Sequence, residues 1–162
     1  MKKECEKCEL FQENPAKAEA RLHINSFLLG GIFTVIALLL TLSLEKVSFI
    51  LLLELVSSVP LIFFASLSYA KIGYKKNHTV WDTFGWITNN IGYLLFLNST
   101  GLIIAAFFFK SIALIYFGLV IILSSVYYIL NIISQPGTLK EHLSKLILFL
   151  VVIIIGGVIP II

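Results

Sequence analysis

The residue best placed to do chemistry is Glu54, the single charged residue inside any of the long apolar stretches of this 162-residue chain. A carboxylate near the centre of a bilayer costs about 2.5–3.5 kcal/mol on insertion scales, so it should face a helix bundle or water and have a partner. The hydroxyl-bearing residues Ser57 and Ser58 follow it in the same stretch. A carboxylate and two hydroxyl groups on one helix could line the path of a cation or a proton.

A neighbouring stretch contains the expected partners of Glu54. Asn98 and Thr100 lie within about one helical turn of its depth when residues are counted inward at 1.5 Å each. This spacing predicts a polar layer at one level of the membrane. Other interpretations stay open, because polar residues commonly hold membrane helices together for about 0.6 kcal/mol each. Glu54 would then be a neutral or paired structural group, or a contact to another subunit.

Cys5 and Cys8 form a CxxC motif, and they are the only two cysteines in the sequence. This spacing suits zinc, but a closed structural zinc site needs four ligands. Zinc would therefore have to be bound across two subunits or with a nearby histidine. Ordinary reduced thiols are the alternative, and a redox role lacks the thioredoxin-like βαβ context that normally accompanies it. We expect no other cofactor.

Two short patterns are typical of helix starts. In a capping box, a hydroxyl residue at the N-cap bonds the backbone three residues further on, where an acidic residue bonds back to the cap. Thr79 with Asp82 and Thr138 with Glu141 fit this pattern. We therefore interpret both acids as helix caps rather than as chemical groups.

The composition places the chain in a membrane. Hydrophobic residues make up 59% of it and charged residues 13%, whereas a soluble domain has about 45–50% apolar and 25% charged residues. Five stretches are long enough to cross a bilayer, which takes about 20 apolar residues. They cover residues 24–44, 47–70, 84–109, 112–134 and 146–162. Because none alternates like a barrel strand, we predict an all-α bundle of five transmembrane helices.

The basic residues predict how this bundle is oriented in the cell membrane. Ten of the twelve Lys and Arg residues lie in the N-terminal tail, the second loop and the fourth loop. By the positive-inside rule, the N-terminus is expected in the cytoplasm and the C-terminus outside. Residues 1–23 would form a polar cytoplasmic tail that contains a short helix starting at Pro15. Residues 24–162 would form the transmembrane domain.

Two functions are compatible with these features. The first is an oligomeric channel or transporter in which Glu54 lines the path of an ion or a proton. The alternative is an assembly subunit of a larger membrane complex, whose cytoplasmic tail recruits a partner. An enzyme is not expected, because the sequence has no HExxH or GxSxG motif and no paired intramembrane carboxylates. The expected partners are the lipid bilayer and further subunits. Nucleic acid is not expected, because the positive-inside rule already explains where the basic residues lie.

Overall fold

The chain folds into five helices in the computed structural model, which describes residues 15–41, 47–72, 78–134 and 139–162. The helices are α1 (Pro15–Thr41), α2 (Phe49–Ile72), α3 (His78–Phe107), α4 (Lys110–Ser134) and α5 (Leu139–Val152). A π-helix over Ile153–Val158 continues α5. The described residues contain no strand, which confirms the predicted all-helical class for that part of the chain.

Four helices are long and apolar enough to cross a membrane, judged by length and composition. The four apolar segments are Ala18–Thr41, Phe49–Ile72, Val80–Phe107 and Lys110–Ile133. The fifth apolar segment, Leu143–Val158, is shorter. Large apolar side chains such as Phe27 and Ile133 are exposed on the outside of the bundle, and a soluble monomer rarely exposes an apolar surface of this extent. These features indicate a membrane location.

The N-terminal part of the chain is described only from Pro15 onward. α1 begins there and runs to Thr41 without a break, so the short helix predicted for the tail is continuous with the first apolar segment. Cys5 and Cys8 lie outside the described residues, and zinc binding there stays a prediction. Thr138 also lies outside them. α3 begins at His78, next to the proposed cap Thr79, and the capping boxes stay predictions as well.

The core of the bundle is the interface between α2 and α3. α1 packs on α2, whereas α4 and the π-helix pack on α3, and α5 packs on α4 and on the π-helix. One cluster of buried apolar side chains joins the helices, and it includes Leu55, Ile62, Leu94, Phe117 and Ile153. Helical spacing explains which residues enter it, since Leu55 and Ile62 are seven residues, about two turns, apart on one face of α2.

Two glycines allow α4 to approach its neighbours closely. A Cβ atom added to Gly101 of α3, or to Gly157 of the π-helix, would collide with the ring of Phe117. That ring is buried between them. The ammonium group of Lys110 also donates a hydrogen bond to the carbonyl of Ile161 over 2.7 Å. These contacts hold the first half of α4 against α3, the π-helix and Ile161.

Candidate functional site

Glu54 lies in the second turn of α2 and faces the interior of the bundle. It is only 7% exposed. The same face of α2 carries Leu51, Leu55 and Ser58, which are also buried, because residues three and four apart share one side of a helix. The structure therefore places the single acid of the apolar stretches inside the bundle, where a carboxyl group needs hydrogen-bonding partners.

Asn98 of α3 is the partner of Glu54. Its Nδ2 atom donates a hydrogen bond to Oε1 of Glu54 over 3.3 Å. The same nitrogen donates to the backbone carbonyl of Val152 over 3.1 Å. Asn98 is fully buried. One amide group thus joins α2, α3 and the end of α5, and we call Glu54, Asn98 and Gly156 the acid cluster.

Gly156 completes this cluster from the π-helix. A Cβ atom added at this position would collide with Oε1 of Glu54 and with Nδ2 of Asn98, so only glycine lets the backbone come this close. A π-helix has a wider turn than an α-helix, because each amide bonds to the carbonyl five residues earlier. Here the amide of Ile159 donates to the carbonyl of Ile154 over 2.9 Å. Single turns of π-helix are rare and are frequently found at functional sites.

Two oxygen atoms of the acid cluster have no hydrogen-bond donor. Oε2 of Glu54 and Oδ1 of Asn98 are buried, and no group in the described part of the chain bonds to either. A buried polar atom without a partner costs about 1–3 kcal/mol. Both atoms are acceptors, so a species that brings a hydrogen-bond donor or a positive charge would satisfy them.

The hydroxyl groups predicted near Glu54 have local partners. Ser58 donates to the carbonyl of Leu55 over 2.6 Å, and Thr100 donates to the carbonyl of Phe96 over 2.8 Å. Both carbonyls belong to the same helix as the hydroxyl group. Ser57 is half-buried on α2. Of the five residues predicted to form a polar path, the structure directly bonds only Glu54 to Asn98.

A second polar group joins α1 to α2 and α3, and sequence reasoning missed its members on α1. Nη1 of Arg21 lies 3.2 Å from Oδ1 of Asp82, and its guanidinium carbon lies 5.0 Å from the ring centre of Tyr69. The hydroxyl of Tyr93 donates to Oδ1 of the buried Asn25 over 2.6 Å. The available signal was the four-residue spacing of Arg21 and Asn25, which puts both on one face of a helix.

An apolar layer separates the two polar groups. Along α3, Asn98 lies about 7.5 Å from Tyr93, the member of the second polar group nearest to it on this helix, at 1.5 Å per residue. Beside this part of α3, Leu94 of α3 and Ile62 of α2 belong to the buried apolar cluster. Ile62 also lies where a Cβ atom on Gly92 would be. The polar groups therefore form two levels without a polar connection among the described residues.

Known proteins add no further information about this site. The comparisons found no matching family model, no similar curated protein and no similar solved structure. Among the described residues, no three His, Cys, Asp or Glu side chains are grouped so that they could hold a metal ion. We therefore infer the function of this chain from the chemistry of the acid cluster itself.

Proposed function

We propose that this chain is a small multi-pass membrane transporter that carries protons across the bilayer by protonation of Glu54. The observation that supports this most is the pair of buried acceptors, Oε2 of Glu54 and Oδ1 of Asn98, which lack donors in the described part of the chain. When a proton binds to Oε2, the carboxyl group becomes neutral and gains one O–H donor. This O–H group needs an acceptor, and Oδ1 of Asn98, on the residue already bonded to Glu54, is a buried acceptor without a donor among the described residues.

A proton fits the acid cluster better than a metal cation does. Divalent cations such as Ca²⁺ and Mg²⁺ need six or more oxygen ligands. Among the described residues, the cluster has two acceptors without donors, and Nδ2 of Asn98 is a donor that would repel a cation. A single charged residue in a membrane bundle is also a common mark of proton relays.

The apolar layer around Ile62 and Leu94 favours a transporter that changes conformation over an open channel. Among the described residues, no hydrogen bond links Glu54 or Asn98 to the Arg21–Asp82 level across this layer. The π-helix offers a point of movement, because discontinuous helices near the midplane form the binding sites of many transporters. Protonation removes the charge on Glu54 and so changes its contacts with Asn98 and with the backbone at Gly156.

We also propose a membrane topology and an oligomeric state for this chain. All five helices would cross the cell membrane, with the N-terminus in the cytoplasm and the C-terminus outside, as the distribution of basic residues predicts. Five helices are few for a transporter built from two symmetric repeats. We therefore propose that the chain acts as a homo-oligomer, and its exposed apolar side chains leave surface for such contacts.

The alternative, an assembly subunit that recruits a partner with its tail, depends on residues 1–14. These lie outside the described part of the chain. No contact among the described residues favours this function over proton transport, so it is kept as the hypothesis to adopt if transport fails.

The deciding experiment is proton flux into liposomes that contain the purified protein. A potassium diffusion potential drives the flux, and a pH-sensitive dye inside the vesicles reports it. Glu54→Gln keeps the shape of the neutral acid but cannot bind and release a proton. We expect the wild-type protein to carry protons and Glu54→Gln to reduce the rate at least tenfold.

Glu19→Gln is the matched control, because it makes the same chemical change at an exposed position of α1. Its flux should equal that of the wild type. Equal flux from Glu54→Gln and the wild type, or no flux from the wild type, would contradict the proposal. A circular-dichroism spectrum of each variant shows whether the helices are retained.

A further inference from the structure

A cavity of about 290 Å³ lies between α3, α4 and α5, separate from the acid cluster. Its wall is mostly apolar and includes Leu94, Leu97 and Phe149. The rings of Tyr128 and Phe149, 6.2 Å apart, close it between α4 and α5. This volume of about 290 Å³ is just below the range of about 300–1,000 Å³ that is usual for small-molecule sites.

The cavity opens toward the outside of the bundle. Two of its lining residues on α4, Leu123 and Tyr127, are 67% and 63% exposed. α4 is one of the four helices long enough to cross a membrane, so its outer surface would face lipid. A molecule that enters from this side would come from the bilayer rather than from water.

A basic group lies about one turn beyond one end of this cavity. Lys145 precedes the lining residue Phe149 by one turn of α5, and Trp86 precedes the lining residue Asn90 by one turn of α3. The ammonium group of Lys145 lies 4.3 Å from the ring centre of Trp86. This cation–π contact connects α5 to α3 at that end and places a positive charge near the cavity.

We propose that this cavity binds one acyl chain of an anionic phospholipid, with the lipid phosphate at Lys145. The apolar wall suits a hydrocarbon chain, the volume suits one chain rather than a whole lipid, and the opening faces the bilayer. Basic pockets between transmembrane helices are known to bind anionic headgroups. The ring of Trp86 beside Lys145 also supports a phosphate at this depth, because indole side chains concentrate at the headgroup level of the membrane. This site is independent of proton transport by Glu54.

Native mass spectrometry of the purified full-length protein tests the proposal with two lipids of identical acyl chains, phosphatidylglycerol and phosphatidylcholine. We expect phosphatidylglycerol to be retained preferentially. Lys145→Gln should lower its retention about fivefold, the equivalent of about 1 kcal/mol for one basic residue near a headgroup. Lys71→Gln is the matched control, since Lys71 is an exposed lysine at the end of α2 and away from the cavity.

A second pair of variants tests the acyl chain. Ser124→Phe fills the cavity, whereas Ser125→Phe adds the same ring at the next position of α4, which does not line it. Only Ser124→Phe should reduce the retention of both lipids. Equal losses from the two lysine variants or from the two phenylalanine variants would overturn the proposal. The proposal would also be overturned if glycerophosphoglycerol, which has the headgroup but no acyl chains, competed for the site as well as intact phosphatidylglycerol does.

Discussion

Asn98 and Glu54 are hydrogen-bonded across the α2–α3 interface, with 3.3 Å between Nδ2 and Oε1. The same amide group also bonds to the carbonyl of Val152, so it carries two of the contacts that bring three helices together. Each partner retains one buried acceptor for which the described part of the chain provides no donor. The stability of the bundle and the chemistry of Glu54 should therefore depend on the same pair.

Removing Asn98 should destabilise the protein more than removing an asparagine at the surface. Asn98→Ala leaves Glu54 without its hydrogen-bond donor, and we expect the free energy of unfolding to fall by about 1–3 kcal/mol. Unfolding by SDS in mixed micelles, followed by circular dichroism, measures this. Asn131→Ala is the control, because among the described residues the side chain of Asn131 bonds to the Tyr127 carbonyl of its own helix, and it should cost less than about 0.5 kcal/mol.

The two acid-cluster residues should also be energetically coupled. In a double-mutant cycle with Glu54→Leu, which removes the acceptor, and Asn98→Ala, which removes the donor, we expect a coupling energy of at most about 1.7 kcal/mol, the upper end for hydrogen bonds between membrane helices. The same unfolding measurement on the double variant gives the value. Strictly additive effects would show that the hydrogen bond contributes nothing to stability.

Gly156 should not tolerate a methyl group. Gly156→Ala places a Cβ atom against the carboxylate of Glu54 and the amide of Asn98, and overpacking of this kind costs about 1–3 kcal/mol. Gly118→Ala makes the same change in α4 at a position with no atom within 4 Å of the new Cβ. We expect SDS unfolding to show a loss of stability for the first variant and none for the second. Similar values for both would mean that the close approach at Gly156 is not needed.

The Arg21–Asp82 pair should contribute a modest and salt-sensitive stabilisation. Its side chains are 27% and 37% exposed, so solvent screens their attraction. A double-mutant cycle of Arg21→Gln and Asp82→Asn should give a coupling free energy of about 0.5–1 kcal/mol at low salt. The coupling energy should be smaller at 1 M salt, where the Debye length is about 3 Å. Glu19→Gln, at an exposed site, serves as the control. A coupling that does not change with salt would contradict this interpretation.

The orientation can be tested with the two native thiols. Cys5 and Cys8 are the only cysteines of the chain and both precede the first apolar segment. A membrane-impermeant maleimide should label them in inside-out vesicles and leave them unlabelled in sealed right-side-out vesicles. The variant without both cysteines controls for labelling of other groups. The opposite pattern would place the N-terminus outside.

The helices were largely predictable, and their contacts were not. The apolar run at residues 47–70 predicts a helix close to the observed α2, Phe49–Ile72, because a long run of apolar residues must satisfy its own backbone in lipid. Counting residues inward along each apolar stretch placed Asn98 at nearly the membrane depth of Glu54, because each helical residue adds the same rise of 1.5 Å. The rotation of each helix about its axis was not predictable in this way, and Ser57 and Thr100 are accordingly not bonded to Glu54.

Asp82, whose predicted capping role stays a prediction, has a contact that its local pattern did not indicate. The local pattern predicts a capping residue, while the structure pairs its carboxylate with Arg21, far away in the sequence. A capping box is a feature of neighbouring residues, whereas an ion pair between helices depends on which helices are adjacent. The sequence offered no sign that α1 lies beside the start of α3.

The sequence by itself determined a helical membrane protein with one acid in its apolar stretches, because hydropathy and charge act locally along the chain. Only the tertiary structure decided that Asn98 bonds to Glu54, that the π-helix brings Gly156 against both, and that Ile62 and Leu94 separate this cluster from Arg21 and Asp82. These relationships depend on the packing of side chains from different helices. Packing is set by shape and close contact between distant residues, which a linear pattern does not contain.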